Sequence, residues 1–109
     1  MPVLNDKNIG VLGMKSLAAQ DGRIVRDLGI SANIARRYSM SLPITSLVAG
    51  IQTREELQHD IELARDFEPL TEEEVKEVLA ISEEEAQDGM IERYKTGDYG
   101  CNWHHNKYA

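Results

Sequence analysis

The sequence predicts a helix-rich α/β fold in the order β-α-β-α-α, followed by a C-terminal tail. Two short apolar runs of strand length, Ile9–Met14 and Ile44–Ala49, are separated by a stretch with helical periodicity. The second run is followed by two segments that each begin with a helix-capping pattern. Because strands that alternate with helices favour parallel pairing, we expect a parallel α/β architecture.

The composition limits the class of protein. The chain has 109 residues, enough for one domain, and its 19 Asp and Glu against 12 Lys and Arg give a formal net charge of −7. An acidic surface repels nucleic-acid backbones and anionic membranes, so we expect neither as a partner. The single cysteine, Cys101, excludes an intramolecular disulfide and favours a cytoplasmic location. No apolar run approaches the roughly 20 residues that span a bilayer.

The first predicted strand, Ile9–Met14, is continuously apolar. Such a run is typical of a strand buried on both faces, as in a parallel sheet, with a buried helical turn as the alternative. Gly10 and Gly13 within it indicate close approach of another part of the chain. Residues 1–8 are interpreted as the end of a helix or a lead-in segment, and Ala18–Gly29 as an irregular connection.

The next helix is predicted from an N-cap at Ser31 to about Ser41. Pro43 ends it, because the residue before a proline is pushed out of the α region. Arg36 and Arg37 fall on the polar side of this helix, where we expect them to be solvated. The apolar face is formed by Ile34, Ala35, Tyr38 and Leu42.

Two further helices begin with capping boxes, in which a threonine and a glutamate three residues later each satisfy the other's free backbone N–H group. The pairs are Thr53 with Glu56 and Thr71 with Glu74. The predicted inward positions are Leu57, Ile61 and Ala64 in the first helix, and Val75, Val78, Leu79 and Ser82 in the second. Beyond the last helix, residues 95–109 are expected to form a flexible tail.

Few residues suggest chemistry by type and spacing alone. Cys101 and His104 have a spacing that zinc ligands use, but no second ligand pair lies upstream, so a solvated or partner-facing tail is favoured over a metal site for these residues and His105. His59 is interpreted either as a polar surface residue or as a ligand contact. No catalytic residue and no metal ligand is predicted.

The turn between the second strand and its helix, Gly50–Thr53, has free N–H groups that could receive a phosphate. Glu55 and Glu56 place negative charge in the same first turn, where it stabilises the helix itself. On spacing alone, a structural role for this turn is favoured.

Two stretches, Ile9–Leu17 and Ala35–Leu57, together resemble the aldo/keto reductase family, and Phe67–Glu74 agrees with that family's downstream segment. The three motifs occur in the family's order and spacing. The resemblance implies an NAD(P)H-dependent carbonyl oxidoreductase with a (β/α)8 TIM barrel. It makes residues 1–94 the C-terminal portion of such a barrel, with the two predicted strands as the seventh and eighth.

The resemblance also implies a set of cofactor contacts for NADP or NAD. Lys15, Ser16 and Leu17 would lie beside the dinucleotide, Gly50 and Gln52 under the adenosine phosphate, and Glu56 and Asp60 near the adenine. Glu56 stands where the family often has Arg or Gln, and a carboxylate there repels a 2′-phosphate. The choice between the two cofactors therefore stays open.

A barrel of this type needs roughly 250 residues, and the family's catalytic Asp, Tyr, Lys and His belong to strands that precede this region. Their motifs do not occur in this sequence. We therefore expect a cofactor-side segment that is inactive alone, whereas the full-length family binds a nicotinamide dinucleotide and a carbonyl substrate. The alternative is a non-catalytic, small acidic helical interaction module or a self-associating fragment, because exposed strand edges favour pairing with another copy or another chain.

Overall fold

The computed structural model describes residues 1–18, 22–87 and 91–92. This part of the chain consists of two short parallel strands and the helices around them. Within these residues the elements are α1 (Pro2–Asp6), β1 (Leu12–Gly13), α2 (Arg23–Arg26), α3 (Ala32–Met40), β2 (Ser46–Leu47), α4 (Arg54–Arg65) and α5 (Glu72–Glu85). The predicted helix-rich α/β class is confirmed. The predicted tail, residues 95–109, lies outside the described residues.

The two strands pair in parallel, as the sequence predicts. Leu12 lies opposite Ser46 and Gly13 opposite Leu47. The paired part of each strand is only two residues long, which is shorter than the predicted runs. Parallel strands that are consecutive in a sheet need a crossover connection, and here α2 and α3 supply it.

Backbone hydrogen bonds extend the contact between the strands at both ends. The Thr45 N–H donates to the Val11 carbonyl at 2.7 Å, and the Val48 N–H donates to the Gly13 carbonyl at 2.8 Å. The Thr45 hydroxyl also accepts a hydrogen bond of 2.9 Å from the Val11 N–H. The two segments therefore leave the sheet side by side.

The prediction that the first strand is buried on both faces is wrong. Leu12 is 68% exposed, Met14 64% and Val48 50%. Side chains alternate along a strand, so the register places these three on one face of the sheet. We call Leu12, Met14 and Val48 the open sheet face. It is exposed because no described helix covers it.

The opposite face of the sheet is closely packed at Gly13. A Cβ atom on Gly13 would lie 2.9 Å from Ile44 Cδ1 and 3.2 Å from Leu47 Cδ1. The predicted close approach at this glycine is therefore confirmed. At Gly10 an added Cβ would meet only the Thr45 hydroxyl at 3.4 Å, which is an ordinary contact.

The helix N-termini agree with the predicted caps. The Ser31 hydroxyl accepts a hydrogen bond of 3.2 Å from the Ile34 N–H at the start of α3. Both capping boxes, at the starts of α4 and α5, are present. The segment expected to be irregular contains the one-turn helix α2, which its sequence does not reveal because four residues carry no periodicity.

Helix α4 presents a different face to the rest of the protein from the one predicted. Leu57, Ile61 and Ala64, expected to point inward, are exposed, the first two to 43% and 42%, and Leu63 is buried instead. Asp60, one turn before Leu63, is also largely covered, with 15% of its side chain exposed. The helix is rotated so that Asp60 faces Arg36 of α3 and Leu63 lies on the covered side. The inward prediction for Leu79 of α5 is wrong as well, because this residue is 50% exposed.

The buried hydrophobic core of the described residues is small and consists of Ala18, Ile30, Ala35 and Leu63. None of the described side chains is less than 2% exposed. In these residues, no helix combines the length and the apolar character that crossing a membrane requires.

Because Leu63 is the buried leucine of α4, we expect Leu63→Ala to lower the free energy of unfolding by about 2 to 4 kcal/mol. The matched control is Leu57→Ala, the same change in the same helix at a half-exposed position, which should cost less than about 1 kcal/mol. Urea unfolding monitored by circular dichroism measures both. Equal losses for the two variants would contradict the observed rotation of α4.

Candidate functional site

The carboxyl ends of the two parallel strands face the same edge of the sheet. The segment after β1 contains Lys15, Ser16 and Leu17, and the segment after β2 contains Gly50 and Gln52. These are five of the seven residues for which the family resemblance implies a cofactor contact. In parallel α/β folds this edge is where ligands bind. Parallel pairing therefore brings both predicted loops to one side of the molecule.

The loop after β1 has an unusual backbone. Lys15 and Ala18 have φ angles of 59° and 62°, in the left-handed region that residues with a side chain rarely adopt. The Ala18 N–H donates to the Lys15 carbonyl at 2.9 Å and closes the turn around Ser16 and Leu17. Such backbone conformations cost energy and persist only where the surroundings hold them.

Arg36 connects this loop to α4. Its Nη1 lies 3.3 Å from the Ser16 hydroxyl, and its Nε lies 2.8 Å from Asp60 Oδ1. The arginine and aspartate side chains are 7% and 15% exposed. Arg36 therefore joins Ser16 to Asp60, two of the predicted site residues. The sequence predicts Arg36 on the solvated side of α3 instead.

The prediction that Arg36 is solvated is wrong, because only 6% of the residue is exposed. The prediction is also wrong for Arg37, because only 16% of its side chain is exposed and it is paired with Glu74. Arg36 lies where α3 meets α4. The signal that would have indicated its burial is Asp60, an opposite charge 24 positions away in the sequence. No local pattern connects the two residues.

The pairing of Arg36 with Asp60 leaves two polar atoms unsatisfied. Within the described residues, Arg36 Nε and Asp60 Oδ2 make no hydrogen bond, although Nε lies close to Oδ1. The attraction between the groups is therefore mainly that of opposite charges at short distance. His59 Nδ1 lies 3.6 Å from the same Asp60 oxygen, and its side chain is 45% exposed.

The N-terminus of α4 is closed by its own glutamate. Glu56 Oε2 accepts hydrogen bonds from the Gln52 N–H at 2.6 Å and from the Thr53 N–H at 3.3 Å. The Thr53 hydroxyl accepts one of 3.1 Å from the Glu56 N–H. The N–H groups that would receive a phosphate at this turn are thus occupied by a carboxylate. A Cβ on Gly50 would meet nothing within 4 Å, so the turn is open to solvent there.

A separate groove of about 560 Å³ lies between α3, α4 and α5. Its walls are rich in carboxylates, and none of the seven residues with an implied cofactor contact lines it, although His59 does. The lining residues are Asn33, Arg37, His59, Glu62, Leu63, Asp66, Glu68, Pro69, Thr71 and Glu74. No cluster of three metal-ligating side chains occurs in the described part of the chain. The tail residues Cys101, His104 and His105 lie outside that part.

Arg37 holds one wall of the groove together. It forms a salt bridge with Glu74 at 3.0 Å and donates to the backbone carbonyls of Glu68 at 2.8 Å and Pro69 at 3.2 Å. Two hydrogen bonds lower the pKa of the Glu74 carboxyl. The larger effect comes from the Thr71 N–H and the next from the Arg37 guanidinium. The two adjacent arginines of α3 therefore bind different partners, Arg36 on α4 and Arg37 on α5 and the loop before it.

Comparison of the chain with protein-family models, with curated proteins and with solved structures found no significant match.

The lowered pKa of Glu74 makes stability depend on pH in a defined direction. The folded chain favours the ionised carboxylate more than the unfolded chain does. The stabilisation that the ionised Glu74 carboxylate gives the fold is complete above the ordinary glutamate pKa. It is lost as the pH falls through the lowered pKa of the folded chain. We expect the urea midpoint of unfolding to decrease as the pH is lowered through this acidic range. In Glu74→Gln this decrease should be smaller.

The matched control is Glu73→Gln, which removes the same charge from the exposed neighbouring position in the first turn of α5. It should leave the acid dependence of the urea midpoint closer to that of the wild type. An unchanged acid dependence in Glu74→Gln would show that this carboxylate does not stabilise the fold.

Proposed function

We propose that this chain is the cofactor-side segment of an NAD(P)H-dependent oxidoreductase of the aldo/keto reductase type, built from the last two strand–helix units of a (β/α)8 barrel. The observation that carries the proposal is that parallel pairing of β1 with β2 puts the Lys15–Leu17 and Gly50–Gln52 segments at one edge. This is the edge at which barrel enzymes bind their ligands.

The open sheet face supports the same proposal. Parallel sheets are normally covered on both faces, and a two-stranded sheet is marginal by itself. In a complete barrel, further strands would pair with the free edges of β1 and β2. Leu12, Met14 and Val48 would then face other side chains in the barrel interior. Their exposure of half or more is what a segment of a larger sheet would have.

The proposed role is in binding and not in catalysis. The sequence lacks the family's catalytic Asp, Tyr, Lys and His motifs, so we expect the chain alone to reduce no carbonyl. The groups proposed to bind a dinucleotide are the backbone after β1, the Ser16 hydroxyl and the open turn at Gly50. Asp60 is covered and paired with Arg36, so its carboxylate is not available to the ligand. Since these groups are only part of a binding site, their affinity for the free cofactor should be weak.

Glu56 sets an expectation about which cofactor binds. Its carboxylate holds the N–H groups of Gln52 and Thr53 and repels any phosphate that approaches them. NADPH carries an additional 2′-phosphate and suffers this repulsion more than NADH. We therefore expect the wild-type chain to bind NADH at least as well as NADPH.

The test is titration of the chain with NADH and NADPH, followed by amide chemical shifts in ¹H–¹⁵N spectra. We expect shifts concentrated at Lys15–Leu17 and Gly50–Gln52. Glu56→Gln keeps an oxygen for the helix cap and removes the charge, so it should tighten NADPH binding about three- to tenfold, or ~1 kcal/mol, and NADH binding less.

The control for Glu56→Gln is Glu55→Gln, which removes the same charge one position earlier, outside the capping box. It should change the NADPH affinity less. If neither nucleotide perturbs the two segments at millimolar concentration in the wild type or in Glu56→Gln, the proposed function is wrong.

A second candidate function, self-association without catalysis, is favoured by the same open sheet face. Unpaired strand edges and exposed apolar side chains favour pairing with another copy of the chain. In this case the apolar residues would be covered by a second copy instead of further barrel strands.

For this second candidate, we expect the weight-average mass in sedimentation to rise with concentration. Leu12→Lys places a charge on the open sheet face and should shift the chain towards monomer. The matched control is Leu79→Lys, because this leucine is 50% exposed but belongs to α5 and not to the sheet. A wild-type chain that stays monomeric at high concentration would contradict self-association.

A further inference from the structure

Among the described residues, Arg36 is the only charged residue that is buried. Burying a guanidinium group is costly unless its charge is paired, and an apolar side chain of similar size often stabilises a fold as well or better. Stability alone is therefore a weak reason for an arginine at this position. What an apolar residue could not do is bind two polar partners in different segments.

The two partners of Arg36 belong to segments that are far apart in sequence. Ser16 lies in the loop after β1, and Asp60 lies in the second turn of α4. The loop contains two residues with left-handed backbone, Lys15 and Ala18, so its conformation depends on support from its surroundings. Arg36 extends from α3 between the loop after β1 and α4, and its contact with Ser16 supports the loop from one side.

We propose that Arg36 is a positioning residue, which fixes the loop after β1 relative to α4 so that both can contact one dinucleotide. This inference rests on the proposed function. Arg36 need not touch the ligand, because it acts through Ser16 and Asp60. The fork geometry of guanidinium suits this role: Nη1 binds the hydroxyl while Nε faces the carboxylate.

Arg37 provides an internal comparison. It is the next residue of the same helix and makes more polar contacts, but these go to Glu74 and to the backbone before α5. Loss of Arg37 should therefore disturb the groove and leave the loop after β1 in place. Loss of Arg36 should do the reverse. A merely structural role for both arginines would give similar, delocalised effects.

The experiment compares Arg36→Lys and Arg37→Lys in the full chain by amide chemical shifts and hydrogen exchange. Lysine keeps the charge, but its single ammonium cannot form the fork to both partners of Arg36. We expect Arg36→Lys to shift the amides of Lys15–Leu17 and to raise their exchange rates roughly tenfold relative to the rest of the chain. Arg37→Lys should affect residues 68–74 instead.

A second variant guards against a change in folding. Ser16→Ala removes only the hydroxyl that Arg36 binds and leaves the buried ion pair with Asp60 intact. It should reproduce the loop-specific part of the Arg36→Lys effect. If the loop amides are unchanged in both Arg36→Lys and Ser16→Ala, the positioning role is overturned.

Titration with NADH separates this inference from the proposed function. If the wild type binds NADH at the loop, Arg36→Lys should weaken binding roughly tenfold and Arg37→Lys should not, whereas equal weakening would overturn the inference. If the wild type binds no nucleotide, the proposed function fails, and the role of Arg36 is then decided by the loop amides alone.

Discussion

The buried contact between Arg36 and Asp60 is the interaction on which the arrangement of this chain most depends. The hydrophobic core of the described residues is small, so few apolar contacts fix the helices relative to the sheet. The charge pair, at 2.8 Å and with both side chains largely covered, joins the Asp60 side of α4 to α3. Because Arg36 also binds Ser16, the same arginine links α4 to the loop after β1.

The open sheet face is the second feature on which the proposed functions depend. Leu12, Met14 and Val48 of the two parallel strands are exposed. Covering these apolar side chains would lower the free energy, because transfer of apolar surface out of water is favourable. Further barrel strands or a second copy of the chain would both cover them. The two proposed functions therefore differ in what covers this face, while the edge that carries the predicted cofactor segments is common to both.

Local features of the fold were predictable from the sequence because their partners lie a few residues apart. The capping boxes of Thr53 with Glu56 and Thr71 with Glu74 are each formed across three residues, and both are present. Parallel pairing also followed from the alternation of strand and helix. The predicted cofactor segments after β1 and β2 needed only that pairing to reach the same edge. The one-turn helix α2 was missed because four residues are too few to show a period.

What the sequence by itself determined is therefore the class of fold, the starts of the main helices and the edge where the candidate site lies, since these depend on short-range spacing. Only the tertiary structure decided which face of α4 turns inward, that Arg36 is buried, and that the apolar face of β1 stays exposed. Burial depends on what lies opposite a side chain in space. For Arg36 that partner is 24 residues away, and Leu12 is left 68% exposed, so neither outcome can be read from the neighbouring sequence.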